Sequence, residues 1–431
     1  MQTVQTPRNP MLWVPSGYFT MALMYNLLTG ATVLMFSNVG MDNATATTYA
    51  GMLGLAYTIK PLFAPFLEMY RTKKFFVLLS QVILGLGLFA VAAVMQLPEF
   101  TLPLLVLLWI LSFVGSTQDI VSDGIYVTSL DGKSQAKYTG VQSFSWNFGR
   151  LAILSGVVTA SGFLHEDIFK HDPHVSGPDW VISWQIVIVA VGVWYLLMSL
   201  WHLKVMPDGS KAENPPRNVQ EAAATLMDAF VTFFTKKDVW LMIGFVFLYR
   251  LSYGFLNAIT PLFLKDSVTN GGLALTNQDI GVVYGTYGIA ANVIGSILGG
   301  LWIARSGLKK VLFPLCCMVN VPNITFLFLA IYQPSNQPLI ASLIVIEQFF
   351  FGIGSVGFMI YMMQQLAPGK YSTAHYAFGT ALMGLCMMVT GMVSGTLQQH
   401  MGYEHYFIFV MIATIPSFLI TWYAPFHQQT K

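Results

Sequence analysis

The chain has 431 residues, of which 55% are hydrophobic and only 9% charged, and its formal net charge is +2. A soluble globular protein carries about 25% charged residues, and a balance this near neutrality does not suggest a nucleic-acid partner. Together these figures exclude an ordinary soluble domain and point to an all-α membrane protein, because apolar runs long enough to cross a hydrocarbon core of about 30 Å as helices recur from end to end.

In chain order, hydropathy interrupted by Gly, Pro and charge predicts twelve spans: 12–36, 46–67, 75–97, 102–128, 139–164, 180–204, 239–264, 276–303, 309–332, 338–366, 372–399 and 403–425. The first run follows a short polar leader ending at Pro10 and lacks a small-residue cleavage site, so it reads as a span rather than a signal peptide. Between spans six and seven, "MPDGSKAENPPRN" is a linker by composition, and "VQEAAATLMDAFVTFFTKK" reads as an amphipathic helix at the membrane surface. The expected organisation is a six-helix bundle over 1–204, a cytoplasmic linker over 205–237 and a second six-helix bundle over 238–431.

Sixteen of the 21 lysines and arginines, among them Arg8, Lys73, Lys74, Lys204, Lys309, Lys310 and Lys431, fall on the side of the termini. Lys170 and Lys265 fall on the other side, and Lys60, Arg150 and Arg250 lie within spans. The positive-inside rule then puts both termini and the central loop in the cytoplasm. The halves also echo each other. Lys73 and Lys74 map onto Lys309 and Lys310 with an offset of 236, and an offset of 235 aligns Tyr126 with Tyr361 and Gly156 with Gly391. Two parallel six-helix repeats are the pattern of the major facilitator type of secondary transporter, whose substrate site lies between the halves near the bilayer midplane.

Six charges lie well inside spans: Lys60, Arg150 and Arg250 against Asp119, Asp123 and Glu347. Each unpaired charge at bilayer centre costs at least about 2.5–3.5 kcal/mol, so the balance suggests pairing or a functional role in proton coupling. Asp119 lies 15 residues before the turn near Ser134 and Arg150 lies 16 after it, which matches their depth and predicts an Asp119–Arg150 pair. Asp119, Ser122, Asp123 and Tyr126 share one helix face, a polar stripe suited to an internal cavity. Further polar or aromatic candidates for substrate contact are Tyr25, Asn26, Gln118, Trp146, Asn147, Tyr253, Asn257, Gln348, Tyr361 and Gln364, and His375 reads as a structural histidine. "GIGSVG" (352–357) matches a dinucleotide fingerprint but lies inside span ten without a βαβ context, so its glycines read as packing positions. Cys316, Cys317 and Cys386 fall in apolar runs and form neither a disulfide framework nor a metal site.

"STQDIVSDG" and "EQFFFGIGS" carry a resemblance. With Ser116, Gln118, Asp119, Ile120 and Asp123 in span four, Glu347, Gly352, Gly354 and Ser355 in span ten, Arg250 and Ser252 in span seven, and "STAHYAF" opening span eleven, the chain resembles the AmpG-type muropeptide permeases of the major facilitator superfamily. The resemblance implies a proton symporter that imports amino-sugar oligosaccharides or muropeptides across a bacterial inner membrane. Its partners would be that small-molecule substrate, the proton and the lipid bilayer, acting as a monomer without cofactor, metal or nucleic acid. Importers of siderophores, acyl-CoA or other oligosaccharides, and a non-transporting receptor, are the alternatives. An enzyme is not expected, since no nucleophile–base pair or metal-ligand cluster appears at matching depth.

Overall fold

The computed structural model describes residues 8–67, 72–130, 132–209, 218–369 and 371–426, and among these it is helical throughout, without a strand. Ten stretches, from Pro10–Asn38 to Ala374–Trp422, are long and apolar enough to cross a membrane. Twelve crossings result. Span two, over 43–67, is broken into Asn43–Leu53, Leu55–Thr58 and Lys60–Leu67 and so makes no single long helix. Spans eleven and twelve run together through Ser372–Ile412 and are parted by Gly402, whose φ of 72° only glycine adopts readily. With an even number of crossings, both termini lie on one face of the bundle, here called the terminal face.

Helix starts follow from local capping. Asn9 accepts from the Met11 amide ahead of Pro10, Asp42 caps span two, Thr72 caps span three and Asn336 caps span ten. Thr276 and Asp279 form a reciprocal capping box at the start of span eight. The helix predicted before span seven is Val219–Phe234, capped by Asn218. It buries Ala222, Ala229 and Phe233 and packs Phe233 against Phe378 and His375 of span eleven. His375 bonds the Ala229 carbonyl and lies near the Thr232 hydroxyl, the structural role read from sequence. The linker residues 210–217 before this helix lie outside the described ones.

Each half packs on itself through small residues. Gly352 and Gly354 of "GIGSVG" sit where any side chain would run into the carbonyls of Asn292 in span eight and Leu315 in span nine. A Gly352→Leu variant should therefore lose about 1–3 kcal/mol to overpacking, read as a lower melting temperature in detergent. Cys316 and Cys386 are buried and Cys317 is half-buried. Between halves, span two packs along span eleven, and span five packs along span eight. The boundary between halves is therefore made by four helices, and three of them are irregular.

Candidate functional site between the halves

The three membrane cations all stand at irregular backbone. Lys60 follows the break at Ile59 (φ −90°, ψ 6°) in span two. Arg150 ends regular helix just before the π-helical segment Ala152–Val157 of span five. Arg250 is itself the break in span seven, with φ −107° and ψ 10° between Val239–Leu248 and Leu251–Lys265. Irregular backbone at membrane depth is tolerated where it is buried in protein or lines a cavity, and π segments recur at functional sites. A second π segment, Gly281–Tyr287 of span eight, packs on the one that follows Arg150.

Asp119 is buried and pairs with Lys60, and Arg150 is not its partner. The depth-matched pairing expected from sequence is thus corrected. Consecutive spans four and five are not neighbours in the way assumed: span five lies along span one, with Gly149 against the Phe19 carbonyl, while span four packs on spans one to three. The break before Lys60 supplies a cation from span two instead. Lys60 also lies over the Tyr57 ring, 5.9 Å from its centroid.

The predicted polar stripe of span four looks toward spans one and two. Asp123 accepts a 2.7 Å hydrogen bond from the Tyr18 hydroxyl, and Tyr126 meets the Tyr18 ring edge-on at 5.7 Å. Asp123 is exposed while Asp119, one turn deeper, is buried. Gln118 and Ser122 are buried without a hydrogen-bond partner, as is the Tyr57 hydroxyl. Tyr25 bridges Tyr57 at 5.0 Å and Trp146 at 5.8 Å, making an aromatic wall beside Lys60. Asn26 and Asn147 turn back onto their own helices, bonding the Ala22 and Ser143 carbonyls.

In the other half, Arg250 lies 5.1 Å from the Phe351 centroid, 5.2 Å from Tyr253 and 5.8 Å from Phe358. Its sole hydrogen-bond partner among the described residues is the Met383 sulfur at 3.2 Å, and its Nε has none. Tyr253 stacks on Phe351 at 3.6 Å, and Asn257 accepts from both Tyr253 and Tyr284. Glu347 is buried. One of its oxygens accepts from Gln348 at 2.8 Å, and the other has no partner. Arg150, from the first half, forms no ion pair with a described carboxylate, yet it acts electrostatically on Glu347, Tyr253, Tyr284 and Arg250. Tyr361 lies outside this cluster, buried with its hydroxyl on the Pro425 carbonyl. Gln364 is exposed in the last turn of span ten, toward the terminal face.

Beyond the cluster, the face opposite the termini is closed by bonds between the halves. Asn43 donates to Asp266 (2.9 Å), Gln398 (3.0 Å) and Tyr403 (3.1 Å), while Lys265 donates to Ser37 and Ser176. Asn277 donates to Asn38 and Ser161, and Gln278 to Glu166 and Asp167. Deeper, Ser155 meets Thr286 at 2.6 Å. Gly395 lies so close to the Asn43 carbonyl and Thr47 hydroxyl that no side chain fits there. Asp42 joins this gate by accepting from Gln399 at 2.7 Å.

The Asp42 carboxyl is held below the usual carboxylate range, first by the Thr45 hydroxyl and then by the Thr45 amide and Gln399, against a smaller opposing effect of burial. A depressed carboxylate contributes stability that is present above its unfolded value of about 3.9 and is lost as pH falls through the folded value. Asp42→Asn keeps the cap but removes the charge. The melting-temperature gap between wild type and this variant should therefore close as pH drops below about 4.

Sequence reasoning missed Tyr18, Tyr57, Tyr284 and Phe351, and all of the gate. Tyr57 and Lys60 stand one turn apart in "YTIK", a signal that was available. The gate residues sit at span ends, where polar residues look like ordinary solvated loops.

Residues 16–269 match the family model described as Major Facilitator Superfamily. A Rickettsia conorii protein named putative transporter AmpG 4 is 24% identical over 395 residues, covering 89% of each chain. The anhydromuropeptide permease of Escherichia coli is 23% identical over 411 residues, 91% of this chain and 75% of that one. A crystal structure of the nucleoside transporter NupG superposes with a TM-score of 0.69 at 15% identity, covering 97% of this chain and 99% of that one, a likeness of fold.

Proposed function

The chain belongs to the Major Facilitator Superfamily, and on that premise we propose that it is a secondary active transporter importing amino-sugar oligosaccharides or muropeptides with protons. The observation that carries this reading is the cluster of charges and aromatic rings between the halves, beneath a gate closed on one face only by inter-half bonds such as those of Asn43 and Asn277. Aromatic faces at Tyr25, Trp146 and Tyr253 suit pyranose rings, and the names of the Rickettsia and Escherichia coli relatives support the muropeptide class. The lysine and arginine bias supports cytoplasmic termini in the inner membrane of a bacterium, with a linker over 205–237 joining two rocking six-helix halves. In that orientation the gate is extracytoplasmic and the site is served from the cytoplasm.

The coupling proton is assigned to the carboxylates of the site. Asp119 is held by Lys60, Asp123 by Tyr18, and Glu347 keeps a bare oxygen. A carboxylate that exchanges a cation for a proton as the halves move would link the two fluxes. Counterflow tests transport as such: proteoliposomes loaded with unlabelled N-acetylglucosaminyl–anhydro-N-acetylmuramic acid should concentrate external labelled sugar transiently. Binding without exchange would identify a receptor instead. Arg150 and Arg250, which lack acidic partners among the described residues, favour a second reading in which the cargo is another anionic solute; siderophores competing for uptake while the disaccharide does not would select it.

A further inference from the structure

We propose that the cargo carries an anionic group, a carboxylate in the first instance, and that this group is held between Arg150 of the first half and Arg250 of the second. The inference deepens the transport reading and rests on it. An arginine without a counter-charge inside the membrane costs at least about 2.5–3.5 kcal/mol. Three aromatic faces within 5.8 Å of Arg250 offset part of that cost, but they accept none of its N–H bonds. Its sole recorded acceptor is a thioether, a weak one. Guanidinium donors are built for the two oxygens of a carboxylate, and none of the described acidic groups takes that place. Asp119 is taken by Lys60, and Glu347 pairs with no cation.

Arg150 reaches the same region from the other half, and the two guanidinium groups act on each other across the boundary. Like charges facing each other oppose closure of the terminal side. An anion between them reverses the sign, so cargo binding itself favours the approach of the halves. Both arginines sit at backbone irregularities, which lets them move as the helices rock. The ring wall of Tyr25 and Tyr253 then flanks the anion with surfaces for sugar rings.

Two readouts test this. N-acetylmuramic acid and its uncharged methyl ester are compared as ligands of the purified full chain in lipid nanodiscs by Trp fluorescence. The acid should bind at least about tenfold tighter than the ester, and Arg250→Gln and Arg150→Gln should each erase that difference. Arg250→Lys should recover only part of it, because an ammonium lacks the planar fork. Equal binding of acid and ester by wild type, or a preference that survives in both Gln variants, would overturn the proposal. The second readout needs no cargo: spin labels at Ser143→Cys and Met363→Cys report the separation of the halves near the terminal face. Either Gln variant should shift this separation toward shorter distances without ligand, because the repulsion is gone. An unchanged distribution in both variants contradicts the proposal even if the cargo proves not to be a muropeptide.

Discussion

Asp119→Asn should collapse proton-driven accumulation while leaving exchange of cargo across the membrane intact. With one proton per cargo, each unit of pH gradient sustains about a tenfold concentration ratio, and the variant should bring that ratio to one. The reasoning runs from the pair outward. Lys60 and Asp119 come from spans two and four of the first half, and span two is the helix that lies along span eleven of the second. The side chain of Asp119 is 10% exposed and that of Lys60 is 28% exposed, so the pair is largely but not wholly withdrawn from water. Breaking a fully buried pair costs about 3–5 kcal/mol through the charge left behind, and access of Lys60 to solvent reduces this to about 1–3 kcal/mol. A stability loss of that size would confuse the transport result, and a second variant separates the two. Lys60→Met with Asp119→Leu leaves no stranded charge, so it should melt near the wild-type temperature yet still fail to accumulate cargo. Gradient-driven accumulation by the double variant would show the pair to be structural.

Gly395→Leu should force open the gate opposite the termini. A Cβ at Gly395 would meet the Asn43 carbonyl and the Thr47 hydroxyl, and backbone does not yield as a flexible side chain does. The overpacking is worth about 1–3 kcal/mol, comparable to one or two of the gate hydrogen bonds at about 1 kcal/mol each, so the equilibrium between closed and open gate shifts strongly. Ser37, buried beside Lys265 in the closed gate, supplies the probe. In a background without the native cysteines, a membrane-impermeant maleimide should label Ser37→Cys at least about tenfold faster when Gly395 is Leu, since 1.4 kcal/mol is a factor of ten. Transport should fall with it, because a gate that cannot close cannot alternate. Unchanged labelling would mean that the approach of spans two and eleven does not control this face.

How much of this was legible in the sequence depends on the length scale of the information. The twelve crossings follow from hydropathy, which is local, and the one ambiguous stretch, span two, is ambiguous because its helix is broken at Gly54 and Ile59. The functional charges were also visible, since a charge in an apolar run needs a reason. Their partners were not. Pairing Asp119 with Arg150 assumed that consecutive spans are neighbours, whereas the fold lays span five along span one and brings Lys60 from span two. The stripe on span four was correctly read as one face, but its contacts with Tyr18 and Lys60 depend on which helices surround it. The gate was invisible for a related reason: Asn43, Lys265, Asn277 and Gln278 are ordinary polar residues at helix ends until the two halves meet.

Uptake into proteoliposomes under an imposed pH gradient tests the central claim most directly. With the exterior acidic, labelled N-acetylglucosaminyl–anhydro-N-acetylmuramic acid should accumulate above its external concentration, and a protonophore should abolish the excess. Uptake that only equilibrates, and is indifferent to the gradient and the protonophore, would contradict proton-coupled transport by this chain.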